Sequence, residues 1–116
     1  SLVVSEVAAG RLTRISPDGR RSVLAVTGGG PNGNAIGPDG MIYSCNNGGF
    51  AWNERDGVLI PGHRAADYAG GRIDRIDPSS GEVTTLYREA DGRRLGAPND
   101  LVFDATGNFW FTDFGS

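Results

Sequence analysis

The chain has 116 residues, among them 19 Gly and 6 Pro, with a formal net charge of −3 and a pI of about 5.0. All 11 basic residues are Arg and none gathers into a stripe, so nucleic acid and anionic membrane are poor partners. No apolar run reaches the roughly 18 residues of a membrane helix, nothing resembles a secretory signal, and the single Cys45 excludes an internal disulfide or a Cys cluster for zinc or iron–sulfur. A soluble chain is expected, with nothing to choose between cytoplasm and periplasm.

Helical periodicity is absent, and apolar residues come in short groups or in alternation. Strands are expected near 2–6, 10–16, 21–26, 33–37, 41–46, 71–77, 82–87, 99–104 and 108–113. Turn signals separate them: Pro17-Asp-Gly19, Gly28-Gly-Gly-Pro31, Pro38-Asp-Gly40, Pro78-Ser-Ser-Gly81, Asp91-Gly92 and Thr106-Gly107. The Gly and Pro excess therefore serves tight turns between short strands. The chain reads as all-β.

Internal repeats set the architecture. Gly10-Arg-Leu-Thr-Arg-Ile-Ser-Pro17 matches Gly71-Arg-Ile-Asp-Arg-Ile-Asp-Pro78, and Pro31–Tyr43 aligns without gaps on Pro98–Trp110. Leu2–Glu6, Ile42–Asn46 and Phe109–Asp113 also line up. The unit is four strands, carried out of phase as three, four and two. Four-strand units at this spacing are β-propeller blades. Residues 1–30 end one blade, 31–90 form a full blade, and 91–116 start the next. Two and a bit blades cannot close and would leave bare edges, so a piece of a longer propeller is expected, or several copies completing a ring.

Between the second and third strands of the unit, the first copy needs only Val7-Ala-Ala9, whereas the second runs through an insertion, residues 47–70. Its Phe50, Trp52 and Tyr68 predict an ordered loop packed on the body. They either wall a pocket over the channel or fasten the loop. His63, the lone His, has no visible partner for catalysis and reads as a surface or loop residue.

The candidate site lies where the innermost strands begin. Asn99 and Asp100 present oxygens at the mouth of strand 99–104, and Asn32 falls at the equivalent position of strand 33–37. An Asx turn is the competing explanation for Asn99, and a plain turn for Asn32. Asp113 repeats the positions of Glu6 and Asn46 and reads as a strand-end turn. Gly28-Gly-Gly-Pro-Asn-Gly33 satisfies G-x-G-x-x-G, but no helix can follow it, so a dinucleotide site is excluded. Residues 104–113 lack the alternating ligands of an EF-hand loop, and no motif for covalent catalysis occurs.

Taken together, Gly10-Arg-Leu-x-Arg-Ile, Cys45-Asn-Asn-Gly-Gly49, Gly71-Arg-Ile-Asp-Arg-Ile-Asp77 and Ala97-Pro-Asn-Asp-Leu-Val-x-Asp104 resemble the gluconolactonase/SMP-30 (regucalcin-like, LRE) family. The resemblance implies a six-bladed propeller that hydrolyses sugar lactones with a divalent metal, most often Ca²⁺, with Zn²⁺ or Mg²⁺ as alternatives. It spans essentially the whole chain and matches the early blades. It implies Asn99 as a metal or substrate residue, with Asn32, Asp100 and Trp52 as further substrate-contact candidates and Asp100 also suited to holding the start of the strand. Where the regucalcin branch has an Arg two positions before that Asn, this chain has Ala97, so that branch's substrate preference does not transfer. The family's first-blade metal Glu would precede Ser1, and its later Asn and Asp, the proposed base, would follow Ser116. The expected partners are a small lactone and the remaining blades or other copies. The competing functions are a non-enzymatic NHL-type scaffold and a strictosidine-synthase-like propeller without the metal chemistry.

Overall fold

A computed structural model describes residues 1–115 and contains only strands and turns. Thirteen strands follow in order: β1 Leu2–Glu6, β2 Arg11–Ile15, β3 Arg21–Val26, β4 Pro31–Ile36, β5 Ile42–Asn46, β6 Phe50–Arg55, β7 Val58–Arg64, β8 Arg72–Ile76, β9 Val83–Tyr87, β10 Glu89–Ala90, β11 Arg93–Arg94, β12 Pro98–Phe103 and β13 Phe109–Asp113. Three antiparallel sheets form the body, with strand orders β1-β2-β3, β4-β5-β8-β9 and β12-β13. The three-four-two count matches the sequence repeats.

The apolar residues of β5 and β8 are buried on both faces of their sheet. Ile42 and Ile76 join Leu12 and Ala25 in a cluster between the first and second sheets. Cys45 and Ile73, of opposite pleat parity, join Leu95 and Leu101 in a second cluster towards the third sheet, flanked by Tyr43, Phe103, Phe109 and Phe111. Successive side chains of a strand point to opposite faces, so both faces of this sheet are covered, and its buried Asp74 is held by Arg72 and Thr85. Tyr43 meets Phe103 edge-on at 4.9 Å between ring centroids. The outer faces of the flanking sheets behave differently: Leu2, Val23 and Val26 on one, Val102 and Trp110 on the other, are exposed.

The insertion 47–70 is not the loop expected from the sequence. Residues 50–64 form a β-hairpin, β6 on β7, turning through Asp56-Gly57 with φ of 54° and 77°. Positive φ at both central residues, supplied by Asp-Gly, is the type I′ geometry that favours two-residue hairpins. The same pair, Asp91-Gly92, closes the short β10–β11 hairpin. The insertion packs on the body only at its root, where Phe50 and Tyr68 are half-buried. Val58, Leu59 and Ile60 near its tip are exposed.

Candidate functional site

β4 and β12 begin at Pro31 and Pro98, ahead of the expected starts, and both carry the same irregularity. Pro31 pairs with Asn46 and Asn34 with Ser44, so three steps on β4 oppose two on β5. Pro98 pairs with Asp113 and Leu101 with Phe111, repeating the offset. Each is a β-bulge, which bends the strand, releases residues from the ladder and re-aims their side chains. The residues released are Asn32-Gly33 and Asn99-Asp100. Gly33 lets the two inner strands meet: a Cβ there would stand 2.7 Å from both the Asn99 carbonyl oxygen and the Asp100 Cα.

Behind each bulge a side chain at the end of the second strand fastens the backbone. Asn46, fully buried, accepts the N–H of Gly30 and of Gly48 on Oδ1, each at 2.9 Å, and donates from Nδ2 to the Gly28 carbonyl. Asp113 accepts the N–H of Ala97 and of Gly115 on Oδ1, each at 2.7 Å, and that of Gly96 on Oδ2 at 2.9 Å. Burial pushes the Asp113 carboxyl up, but the donors Ala97, Gly115 and Gly96 together outweigh it and hold it below the usual carboxylate range. Asn47 adds a further tie, accepting the Gly49 N–H at 2.8 Å. The Cys45-Asn-Asn-Gly-Gly49 motif is thus a clamp between the loop before β4 and the root of the hairpin. Burial pushes the Cys45 thiol up to about 12, with Asp100 and Asp113 adding to it, so the thiol is inert.

Between the two bulges lies a cleft of about 320 Å³ lined by Asn32, Asn47 and Asn99 and by Phe50, Pro61 and Phe114. Its polar side chains are neutral amides, set against an apolar wall supplied largely by the hairpin root. The structure therefore brings Asn32 and Asn99 together, as the gapless alignment of their strands suggests. It does not bring Trp52 or Asp100 into that cleft. Trp52 is half-buried on β6 but is not among the residues that line the cleft. Asp100 uses Oδ1 to accept the N–H of its own neighbour Leu101 at 2.9 Å and lines a separate hollow with Val102, Trp110 and Thr112. Phe50, one of the three insertion aromatics read as a pocket wall or a fastening, lines the cleft, and Pro61 is the lining residue that the sequence reading did not single out. The Asp56-Gly57 signal would have found their hairpin.

Among the described residues, no group of three or more His, Cys, Asp or Glu converges to hold a metal. What the cleft offers a cation is neutral oxygen, from Asn32 and Asn99. A Ca²⁺ ion takes six to eight oxygen ligands, amide carbonyls among them. These residues would fit only as a minority of such a set, which would need carboxylates besides. Asn34, also on β4, donates to Ser5 Oγ at 2.8 Å and keeps a buried Oδ1 without a partner among the described residues. His63 lies on β7 and is exposed.

Comparison with known proteins points in one direction. The family described as SMP-30/Gluconolactonase/LRE-like region matches residues 1–116. A gluconolactonase of Zymomonas mobilis subsp. mobilis is 31% identical over 84 residues, covering 72% of this chain and 18% of that protein. A solved gluconolactonase of Xanthomonas campestris superposes with a TM-score of 0.70 at 28% identity, covering 96% of this chain and 30% of its own. The chain therefore spans less than a third of either relative.

Proposed function

The chain belongs to the SMP-30/gluconolactonase/LRE-like family, and from that premise we propose that it forms the early-blade part of a metal-assisted sugar-lactone hydrolase. The observation that carries the reading is the pair of matching bulges, which turn Asn32 and Asn99 into one cleft. Bulges gather beside active sites because they re-aim side chains without loosening the sheet. In this reading Asn99 Oδ1 is one neutral ligand of the metal, with Asn32 beside it. A bound divalent cation, Ca²⁺ or else Zn²⁺ or Mg²⁺, supplies Lewis acidity to the lactone carbonyl and a low-pKa water. The amide N–H groups of Asn32 and Asn99 donate to sugar hydroxyls, while Phe50 and Pro61 cover an apolar face of the ring and exclude bulk water. The charged ligands and the base come from other blades, which pack against the exposed apolar faces of the flanking sheets.

The test is hydrolysis of glucono-δ-lactone, followed in a pH-stat. A protein of the relatives' length containing this sequence should turn the lactone over with Ca²⁺ or Zn²⁺ and stop in EDTA. Asn99→Ala should cut kcat/KM by about 10²-fold, the scale for one well-placed polar contact to a transition state. The 116-residue chain alone should be inert. If the longer protein ignores a panel of lactones in the presence of either metal, the reading fails and a binding scaffold replaces it.

A further inference from the structure

The residues just before Asn99 border a second cavity, of about 280 Å³, lined by Arg64, Tyr68, Gly70, Arg94, Leu95 and Gly96. Arg64 and Arg94 line it and, among the described residues, no carboxylate does. Arg64 lies over the Tyr68 ring, 4.8 Å from its centroid, and the Tyr68 hydroxyl donates to the Gly96 carbonyl at 2.7 Å. Arg94 donates from Nη2 to the Ala69 carbonyl, leaving the rest of its planar fork of donors unspent. Gly70 keeps that position open: at its φ of +95° a Cβ would stand 2.8 Å from Arg94 Nη2. Among the described residues neither Arg64 nor Arg94 pairs with a carboxylate. Glu89 opposes Arg94 in the β10–β11 ladder, yet it lines a different hollow with Tyr87 and Phe109.

We propose that this cavity is an oxyanion site, taking the carboxylate or phosphate group of a small ligand between Arg64 and Arg94. Two like charges sharing one cavity repel, and an oxyanion relieves the repulsion while matching the guanidinium fork in a bidentate manner. Stacking on Tyr68 restricts Arg64 beforehand, which lowers the entropy lost on binding. Arg64 and Tyr68 both belong to the insertion, and Arg94 to the β10–β11 hairpin, so the site is built from elements the first copy of the unit lacks. It does not depend on the lactone reading.

Calorimetric titration of the chain with sodium gluconate and, separately, with inorganic phosphate at fixed ionic strength tests it. At least one anion should bind saturably, one per chain. Tighter gluconate assigns a carboxylate ligand; tighter phosphate assigns a phosphorylated one. The double variant Arg64→Gln/Arg94→Gln should bind about tenfold or more weakly, as expected for losing charge-assisted hydrogen bonds, whereas Arg55→Gln, at the hairpin tip, should bind as the parent does. If the double variant loses its near-UV circular dichroism, Arg94→Lys replaces it, with a loss of about threefold expected from removing the fork but not the charge. Absence of saturation by either anion overturns the proposal. So does undiminished affinity in the folded arginine variant, or an equal loss in Arg55→Gln.

Discussion

The strand pairs β4–β5 and β12–β13 are two copies of one device, and they differ at a single decisive atom. At the end of β5 stands Asn46, at the end of β13 Asp113. Both place Oδ1 on the N–H of the residue before the inner strand's Pro and on the N–H two residues ahead. The second terminal atom then parts them. The Asn46 amide nitrogen donates to a carbonyl, Gly28, whereas the second Asp113 oxygen accepts another N–H, from Gly96. One position in the repeat thus selects which backbone group of the preceding loop turns inward. The neutral version sits in the doubly covered sheet, fully buried, and the charged version in the sheet with one bare face, where water can reach it. A buried carboxylate needs full compensation, as Asp74 of the same middle sheet receives from Arg72 and Thr85, and the neutral Asn46 avoids that need.

Breaking the buried copy should cost most. Asn46→Ala strands two N–H donors and a carbonyl away from water and should lower stability by about 3 kcal/mol, at roughly 1–3 kcal/mol per orphaned group. Asp113→Ala should cost about 1 kcal/mol, because water replaces the lost acceptor. Urea denaturation of the two variants side by side measures the difference, and equal losses would contradict the account. Next comes Gly33→Ala, which must push β4 and β12 apart, at about 1–3 kcal/mol for overpacking. It should also weaken any ligand that bridges Asn32 and Asn99.

The charged copies should differ from the neutral one in acid. The folded-state pKa of Asp113 is depressed, so its stabilisation is present above the unfolded Asp value and is lost as pH falls through the folded one. Glu6, at the same repeat position in β1, is held at about 2 by hydrogen bonds from Arg11 and then Thr13. Its contribution is present above the ordinary Glu value of 4.5 and fades as pH drops towards about 2. Glu6→Gln and Asp113→Asn should each flatten the acid limb of a stability–pH curve, and changes at Asn46 should not. The smallest effect is expected at Cys45. Fully buried, with its pKa pushed up to about 12, it should resist a thiol reagent at pH 8 until the chain unfolds.

Much of this was legible in the sequence. The gapless match of Pro31–Tyr43 to Pro98–Trp110 puts Asn32 and Asn99 at equivalent points, and the clustering of the strands into three, four and two follows from the same repeats. The bulges were hidden because a bulge leaves no residue type of its own. It shows only as a register difference between two strands, and that is a property of their pairing. The inserted hairpin was readable from Asp56-Gly57, yet β6 alternates only over Phe50–Asn53 and β7 faces water along its whole length. With little to bury, the hydrophobic pattern carries little signal.

The covering of the middle sheet on both faces also has a consequence for motion. Each sheet gains its cohesion from the neighbours stacked on it, as in other nearest-neighbour arrays. β5 and β8 lie between two apolar clusters, β2, β3 and β13 beside one, and the β6–β7 tip beside none. Backbone amide hydrogens should therefore exchange with solvent in that reverse order, fastest at the hairpin tip and slowest in β5 and β8. Opening would then spread from the margins inward, so the bulge on β4 stays anchored to the slowest-opening sheet while the one on β12, which carries Asn99, belongs to a unit that opens sooner.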